Sequence, residues 1–176
     1  MIELFILLVG LIFGSFANVC IHRLPLDLDI INGRSHCPKC KKKIIWYDNI
    51  PILSFLILGF KCRTCKKHIP KQYFIVEFLT GLAFMLFYKI LGLGFDFVLV
   101  CIIFLILIII FLIDLKHYII PDSLNFSLIL IGIVKNFTTQ DLLKFNYNLP
   151  DSLFGGVLGY LIIWLIIFIY KRIRNK

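Results

Sequence analysis

Long uncharged apolar runs constrain this sequence more than any other feature. Four runs reach or approach the roughly 17–25 helical residues that cross a bilayer core of about 30 Å, and they lie at residues 1–21, 72–88, 97–113 and 152–170. A fifth run, at residues 123–134, has only 12 uncharged residues and predicts a short or partly re-entrant helix. The pattern therefore predicts an all-α polytopic membrane protein with about five transmembrane helices.

The composition excludes several classes of soluble protein. Hydrophobic residues make up 60 % of the chain, whereas soluble domains contain about 45–50 %. This excludes a disordered chain, an ordinary cytosolic enzyme and a DNA-binding domain. The net charge of +9 indicates loops held on the cytoplasmic side and contact with anionic membrane lipid. We therefore predict membrane lipid as a partner and no nucleic acid.

The basic residues also predict the orientation. Sixteen of the 19 fall in alternate loops, at residues 22–71, 114–122 and 171–176. The other three lie in the intervening loops and are Lys89, Lys135 and Lys144. Because short basic loops stay in the cytoplasm, we expect an N-terminus outside and a cytoplasmic C-terminus. Residues 1–21 have no basic start and no small-residue cleavage site, so they form the first transmembrane helix and not a cleaved signal.

Two cysteine pairs, Cys37/Cys40 and Cys62/Cys65, lie in the basic loop with 21 residues between them. This spacing is typical of a four-thiolate zinc site, and the basic neighbours of both pairs favour thiolates. Disulfides are the alternative, but the predicted cytoplasmic side is reducing. We predict one structural Zn²⁺ ion in a small cytoplasmic domain at residues 22–71, between the first and second spans.

The segment between the two pairs, residues 44–60, is apolar but too short to span and is interrupted by a proline. Trp46 and Tyr47 suit the headgroup depth of a membrane, so we expect this segment at the interface, held by the zinc because the loop cannot build its own core. His36 and His68 are alternative metal ligands, although solvated surface histidines are the simpler interpretation.

Three of the carboxylates that lie inside or at the ends of predicted spans are candidate functional groups. A carboxylate within the membrane costs about 2.5–3.5 kcal/mol on insertion scales and is a candidate functional group. Asp114 follows the run at residues 97–113, where water can reach it, and is the better catalytic candidate; helix termination or pairing with Lys116 are the alternatives. Asp122 suits a helix-capping position. Glu77 is either a buried hydrogen-bonding partner or a group that binds a substrate amine.

Small and polar residues in the first span predict close helix packing. Gly10 and Gly14 form a GxxxG pattern, which lets two helix backbones approach each other in a membrane. Asn18 lies one turn further on and can hydrogen-bond across the helix interface.

Taken in order, these motifs resemble the type IV prepilin leader peptidases, an intramembrane aspartic protease family that also methylates the new N-terminus of the cleaved pilin. The similarity extends over the whole chain. Besides the two cysteine pairs, the motifs are GSFANVCIHRLP at residues 14–25, NIPILS at 49–54, YFIVEFLTG at 73–81 and IDL followed by IPD within 113–122.

The resemblance implies an intramembrane aspartic peptidase with an associated N-methyltransferase activity in the bacterial inner membrane. It implies that Asp114 is one of two catalytic aspartates, with Asp122 and Glu77 as supporting residues, and that the four cysteines bind zinc. The implied substrates are type IV prepilin or pseudopilin precursors whose short basic leader ends in glycine before a hydrophobic helix. S-adenosylmethionine is the implied methyl donor.

One motif of the family is missing. The second catalytic aspartate of these enzymes lies in a GxGD motif, which occurs nowhere in the 176 residues. Peptide hydrolysis by paired aspartates needs one ionised and one protonated carboxyl group. Asp122 is eight residues from Asp114, about 12 Å along a helix. We therefore expect residues 72–176 to be an incomplete peptidase region that ends before the second catalytic segment, and the chain alone to be inactive.

Two other functions remain open at this point. One is a catalytically silent zinc-binding membrane scaffold, and the other is a remnant with methyltransferase activity only. Cleavage of a pilin precursor by the native gene product distinguishes the peptidase from the scaffold.

Overall fold

The computed structural model describes residues 1–30, 35–37, 39–137 and 149–174. Within these ranges the regular structure is helical and no strand is formed. The α-helices are α1 (Ile2–Arg23), α2 (Leu53–Ile57), α3 (Gln72–Leu91), α4 (Phe95–His117), α5 (Asp122–Phe137) and α6 (Leu149–Arg174). Two short 3₁₀ turns, Leu24–Leu26 and Trp46–Asn49, lie between α1 and α2. The predicted all-α fold is confirmed.

Within the described ranges, four helical segments are long and apolar enough to cross a membrane: Ile2–Leu26, Gln72–Leu91, Phe95–His117 and Leu153–Arg172. The predicted fifth segment forms α5, which has 16 residues. At 1.5 Å per residue α5 is about 24 Å long, shorter than the hydrocarbon core. The fold therefore has four full-length candidate spans and the short additional helix that the sequence predicts.

By compactness the chain divides into two units, Met1–Ile131 and Gly132–Lys176. The first unit holds α1 to α4 and the start of α5, together with the loop between α1 and α3. The second unit holds the end of α5 and the whole of α6. Helix α6 is continuous and has 26 residues. The sequence-based division into a first helix (residues 1–21), a zinc domain (22–71) and a peptidase region (72–176) describes functional parts and stays a prediction.

Helices α1 and α3 cross at glycines, as the GxxxG pattern predicts. A Cβ atom added at Gly10 would lie 2.8 Å from the Cα atom of Gly81, and one added at Gly14 would lie 2.7 Å from the Cα atom of Glu77. Real Cβ atoms do not come this close to backbone carbon atoms. Larger residues at these two positions would therefore push the helices apart.

Contacts at both ends of the bundle show that α1, α3 and α4 alternate in direction. At one end Lys89, near the end of α3, lies 3.5 Å from the carboxylate of Glu3 at the start of α1. At the other end Lys116, in the last turn of α4, donates a hydrogen bond to Gln72 at the start of α3. The cysteine-bearing loop therefore leaves and rejoins the helices at the same end at which α4 finishes.

Two apolar clusters hold these helices together. The cluster nearer the cysteine-bearing loop contains Ala17, Cys20, Ile21, Val76, Ile109 and Ile113. The cluster nearer the opposite end contains Ile6, Phe84, Phe97 and Cys101. Each cluster draws on all three helices, so the single cysteines Cys20 and Cys101 are packing residues.

Candidate metal centre and boundary carboxylates

Each cysteine pair lies on a tight backbone turn. In the first turn the backbone N–H of Cys37 donates to the carbonyl of Lys42 at 2.9 Å, and the N–H of Lys41 donates back to the carbonyl of Cys37 at 2.8 Å. The second turn repeats both bonds 25 residues later, at 2.9 Å each, in Cys62, Lys66 and Lys67. Both turns are cysteine knuckles with the same hydrogen-bonding pattern.

The repeat extends to backbone conformation. Lys41 and Lys66 occupy equivalent positions, and both have φ = +57° in the left-handed region, which is uncommon for residues other than glycine. Beyond the turns, Ile44 and Ile69 each donate a backbone hydrogen bond of 2.8 Å to the carbonyl group two residues before the knuckle, which belongs to Ser35 in the first case and to Phe60 in the second. The sequence analysis missed this duplication, although CPKCKKKI and CRTCKKHI show it as a shared CxxCKKxI pattern.

The four thiols form one cluster that fits a metal ion. Their sulfur atoms all lie within 4.8 Å of one another, and the Sγ atoms of Cys37 and Cys65 are 3.9 Å apart. Zinc–sulfur bonds of about 2.3 Å in a tetrahedron place sulfurs about 3.8 Å apart. All four residues are free thiols, so the disulfide alternative is wrong for this structure, and the donor set suits Zn²⁺.

The histidine alternative is not supported by the geometry. Among the described residues, the cluster that could hold a metal contains cysteines only. His36 and His68 instead form isolated backbone bridges with Lys43 and Lys61, one residue outside each knuckle. His36 precedes the first knuckle and His68 follows the second, so His36 is equivalent to Lys61 and His68 to Lys43, and each bridge closes the base of its turn.

Local interactions give the thiols of Cys62 and Cys40 different pKa values. The backbone N–H of Cys65 stabilises the thiolate of Cys62 and lowers its pKa to about 7. At Cys40 the N–H of Lys42 also lowers the pKa, but desolvation and the neighbouring sulfurs outweigh it and raise the pKa to about 11. A divalent cation would remove this difference, since it favours the deprotonated form of every thiol it binds.

The second knuckle is tied to the 3₁₀ turn between the cysteine pairs. Arg63 donates from Nε and Nη2 to the two carboxylate oxygens of Asp48, at 2.8 and 2.7 Å, and its guanidinium lies 5.4 Å from the ring centroid of Tyr47. The arginine holds the pKa of the Asp48 carboxyl below its usual range. Trp46 in the same turn is 79 % exposed. Its side chain is therefore free to contact the membrane interface, as we expect from the sequence.

Asp114 lies in the last turn of α4 and is exposed. Its carbonyl accepts the N–H of Tyr118 at 2.9 Å, and Tyr118, at φ = +54°, ends the helix. Lys116 bonds to Gln72, so the predicted alternative of an Asp114–Lys116 pair is not what the structure forms. Asp122 is the first residue of α5, as expected for a residue that starts a helix.

Glu77 is buried, with 7 % of its surface exposed. Its Oε2 accepts a 2.8 Å hydrogen bond from the backbone N–H of Ile52, a β-branched residue held at φ = +60°. This contact joins α3 to the loop between the two knuckles. Glu77 is therefore a buried hydrogen-bond acceptor that also lines a cavity of ≈ 180 Å³, and its binding of a substrate amine stays a prediction.

Comparisons with known proteins identify the family. Residues 8–91 match the family model described as the bacterial peptidase A24 N-terminal domain, and residues 101–173 match the one described as the type IV leader peptidase family. A "Prepilin leader peptidase/N-methyltransferase" of Klebsiella pneumoniae is 33 % identical over 178 residues, which cover 98 % of this chain and 76 % of that protein. The chain belongs to the type IV leader peptidase family.

Other relatives with the same printed name agree with this membership of the type IV leader peptidase family. The Vibrio cholerae protein is 35 % identical over 181 residues, covering 94 % of this chain and 68 % of that protein. The Myxococcus xanthus protein is 38 % identical over 158 residues, and the matched part is 45 % of its length. No solved structure matches the chain.

The two family models meet at the turn between α3 and α4. The first covers α1 from residue 8, both cysteine knuckles and α3, and the second covers most of α4 together with α5 and α6. The four-cysteine cluster and Glu77 of this chain therefore fall in the part that matches the first family model. Asp114 and Asp122 fall in the second.

Proposed function

We propose that this family member is an aspartic endopeptidase of the bacterial cytoplasmic membrane that removes the leader from type IV prepilins or pseudopilins. Asp114 is the catalytic residue in this proposal, with Asp122 and Glu77 as supporting residues. The observation that carries it is the position of Asp114, exposed in the last turn of a highly apolar helix. A carboxyl group there can meet both water and a peptide that lies at the membrane boundary.

Hydrolysis by aspartates needs a pair. One ionised carboxylate activates water, and a protonated partner donates a hydrogen bond to the peptide carbonyl. These 176 residues contain no GxGD motif, and Pro121 separates Asp114 from Asp122. We propose that the second carboxyl group comes from outside these residues, so that the 176 residues alone do not cleave.

The proposed orientation places both cysteine knuckles, the α4–α5 turn and the C-terminus in the cytoplasm, with the N-terminus outside. It rests on the uneven distribution of basic residues, and the alternating directions of α1, α3 and α4 agree with it. Reporter fusions after Lys43 and after Leu93, in the α3–α4 turn, should report opposite compartments. The same compartment for both fusions would contradict the proposed topology.

We propose that the four cysteines hold one structural Zn²⁺ ion and that the family's N-methyltransferase activity follows cleavage. The ion has four protein ligands and no open position, as in structural zinc sites. S-adenosylmethionine would supply the methyl group and leave as S-adenosylhomocysteine when its S–CH3 bond breaks, and the new N-terminal amine of the pilin would lose a proton as the N–CH3 bond forms. The proposed partners are pilin precursors and membrane lipid, with no nucleic acid.

The experiment that tests the peptidase is reconstitution. The chain is co-expressed with the GxGD-containing helices of a family member, and cleavage of a synthetic prepilin is followed by mass spectrometry. We expect cleavage that depends on Asp114. No cleavage with properly inserted helices and bound zinc would instead support the second candidate function.

That second candidate is a catalytically silent zinc-binding scaffold. The observation that favours it is the completeness of the cysteine cluster within a chain that carries only one of the two expected catalytic aspartates. A scaffold would bind zinc and pilin precursors with or without the Asp114 carboxylate. A peptidase would lose cleavage when Asp114 is replaced.

A further inference from the structure

A polar cavity lies where α1 and α3 meet the cysteine-bearing loop. Its volume is ≈ 180 Å³, and its walls come from both helices and from both knuckles. A single water molecule needs about 10–15 Å³ of such volume, so the cavity has room for a small molecule or the end of a peptide. From the helix side it is lined by two acceptor side chains, Glu77 and Asn18, and by Arg23, whose guanidinium donates to the backbone carbonyls of Asp29 and Ile30.

Glu77 is a buried carboxylate surrounded by neutral donors. The backbone N–H of Ile52 bonds to its Oε2 at 2.8 Å, and Ser15 lines the same cavity. Among the described residues, no lysine or arginine forms an ion pair with Glu77. Burial of an ionised group without a counter-charge is unfavourable, so the Glu77 carboxyl group is either protonated or paired with a cationic ligand.

Asn18 provides a second, independent sign of a ligand. Only 3 % of its surface is exposed. Its amide nitrogen donates to two carbonyl oxygens, of Gly14 at 3.3 Å and of Tyr73 at 3.1 Å, and this fixes which way the amide group points. No donor in the described part of the chain reaches its Oδ1, which is itself closed to solvent. Asn18 lines the cavity, so a ligand N–H group is a candidate donor to this oxygen.

We propose that this cavity binds the N-terminal ammonium group of a peptide, with the Glu77 carboxylate as counter-charge and Asn18 Oδ1 as second acceptor. The inference rests on the proposed function and deepens it, because leader removal creates such an amine on the cleaved pilin. It assigns the amine-binding site to the α1–α3 boundary and leaves Asp114 to the cleavage step.

The depth of the site favours an amine that is attached to an apolar helix. Glu77 lies five residues inside the start of α3, and Asn18 lies five residues before the end of α1, which is about 7.5 Å of helix in each case. On the loop side the cavity is lined by Lys42, Lys43 and Arg63. These positive charges repel a free cation, whereas a peptide helix held in the membrane brings its amine to the deep acceptors.

The test compares two synthetic peptides of the same apolar 15-residue sequence, one with a free N-terminal amine and one N-acetylated. Their dissociation constants are measured with the zinc-loaded 176-residue chain in lipid nanodiscs. We expect the free-amine peptide to bind at least tenfold more tightly. Glu77→Gln, which keeps an acceptor for the Ile52 N–H, should reduce the ratio below threefold, and the control Glu3→Gln on an exposed carboxylate should leave it unchanged.

A second measurement on the unmodified chain does not depend on how the variants fold. With ¹⁵N in the peptide's terminal amine, the bound amine should titrate at a higher pH than the free peptide, because a neighbouring carboxylate stabilises its charged form. Equal binding of the two peptides, or an unshifted amine titration, would overturn the proposal. A variant that loses stability without changing the peptide ratio would reduce Glu77 to a structural residue.

A third arm uses S-adenosylhomocysteine, which carries an amino-acid ammonium group of its own. If this compound displaces the free-amine peptide and its binding depends on Glu77 in the same way, the cavity belongs to the methyl donor and the proposal is wrong. Prepilin cleavage by the reconstituted enzyme is scored separately and depends on Asp114. Failure of the amine site can therefore be told apart from failure of the peptidase function.

Discussion

The four-cysteine cluster and the boundary aspartates differ in how their geometry is built. The cluster is complete between Cys37 and Cys65, and each knuckle makes its own backbone hydrogen bonds. Asp114 is positioned by the last turn of α4, and the GxGD motif that its proposed chemistry requires does not occur in these residues. A four-thiol cluster made of two short turns can thus form within one loop, whereas the proposed carboxylate pair would draw on helices that are distant in sequence.

The largest effect is expected at Asp114. In the chain reconstituted with a GxGD segment, Asp114→Asn should lower prepilin cleavage by several orders of magnitude, because removal of one member of a catalytic pair ends the division between acid and base. Single-turnover assays with a synthetic prepilin measure this loss. An active Asp114→Asn enzyme would refute the assignment.

The matched control is Asp122→Asn. Loss of a carboxylate at the start of α5 should cost about 1 kcal/mol of stability and leave measurable cleavage. The 176 residues without the added segment should not cleave at all. Unaided cleavage by these residues would direct attention to Asp122 or Glu77 as the second catalytic group.

Loss of the metal should have the next largest effect, and it should stay local. We expect one zinc per chain, and Cys62→Ser should abolish stoichiometric zinc because the remaining three thiols leave the shell open. Hydrogen exchange should then increase in the loop between α1 and α3 and change little in α3 and α4.

Cys101→Ala, in the apolar cluster away from the loop, is the control and should keep its zinc. Elemental analysis of the purified proteins measures this. Equal zinc content in the Cys62 and Cys101 variants, or increased exchange throughout the helices, would contradict a local metal site.

A smaller effect is expected at the glycine crossing that carries Glu77. Gly14→Ala places a Cβ atom 2.7 Å from the Cα atom of Glu77, and separating the two backbones should cost about 1–3 kcal/mol. Gly132→Ala in α5 meets nothing within 4 Å among the described residues and should be neutral or slightly stabilising. Unfolding in mixed detergent micelles compares the two variants, and equal stabilities would show that the crossing tolerates a methyl group.

The smallest effect is expected at the Arg63–Asp48 pair. The pair is close and bidentate, but Arg63 faces solvent, where an ion pair contributes little. Arg63→Gln should therefore retain stoichiometric zinc and lower the zinc affinity less than tenfold, as measured by competition with a chelator. Complete zinc loss would show that the 3₁₀ turn is needed to assemble the cluster and would weaken the contrast between the two regions.

The features that depend on local spacing could be predicted from the sequence. Apolar runs of sufficient length predict membrane helices, because a bilayer offers no other partner for backbone polar groups. The CxxC pairs predicted the cluster because each pair already shares a turn, and the GxxxG pattern predicted a close crossing. The knuckle duplication was also present in the sequence and required only a comparison at an offset of 25 residues.

Which distant residues meet depends on the tertiary structure. The sequence predicts a hydrogen bond from Asn18 across the helix interface, and the structure confirms it, but its partner Tyr73, 55 residues away, and the unpaired Asn18 oxygen could not be predicted. Nor does the sequence contain a sign that Glu77 bonds to the backbone of Ile52. Both contacts follow from the α1–α3 crossing and from a backbone conformation at Ile52 that its side chain does not favour. Such arrangements depend on the packing of the whole first unit, so the amine site could be located only after the helices and the loop had been placed together.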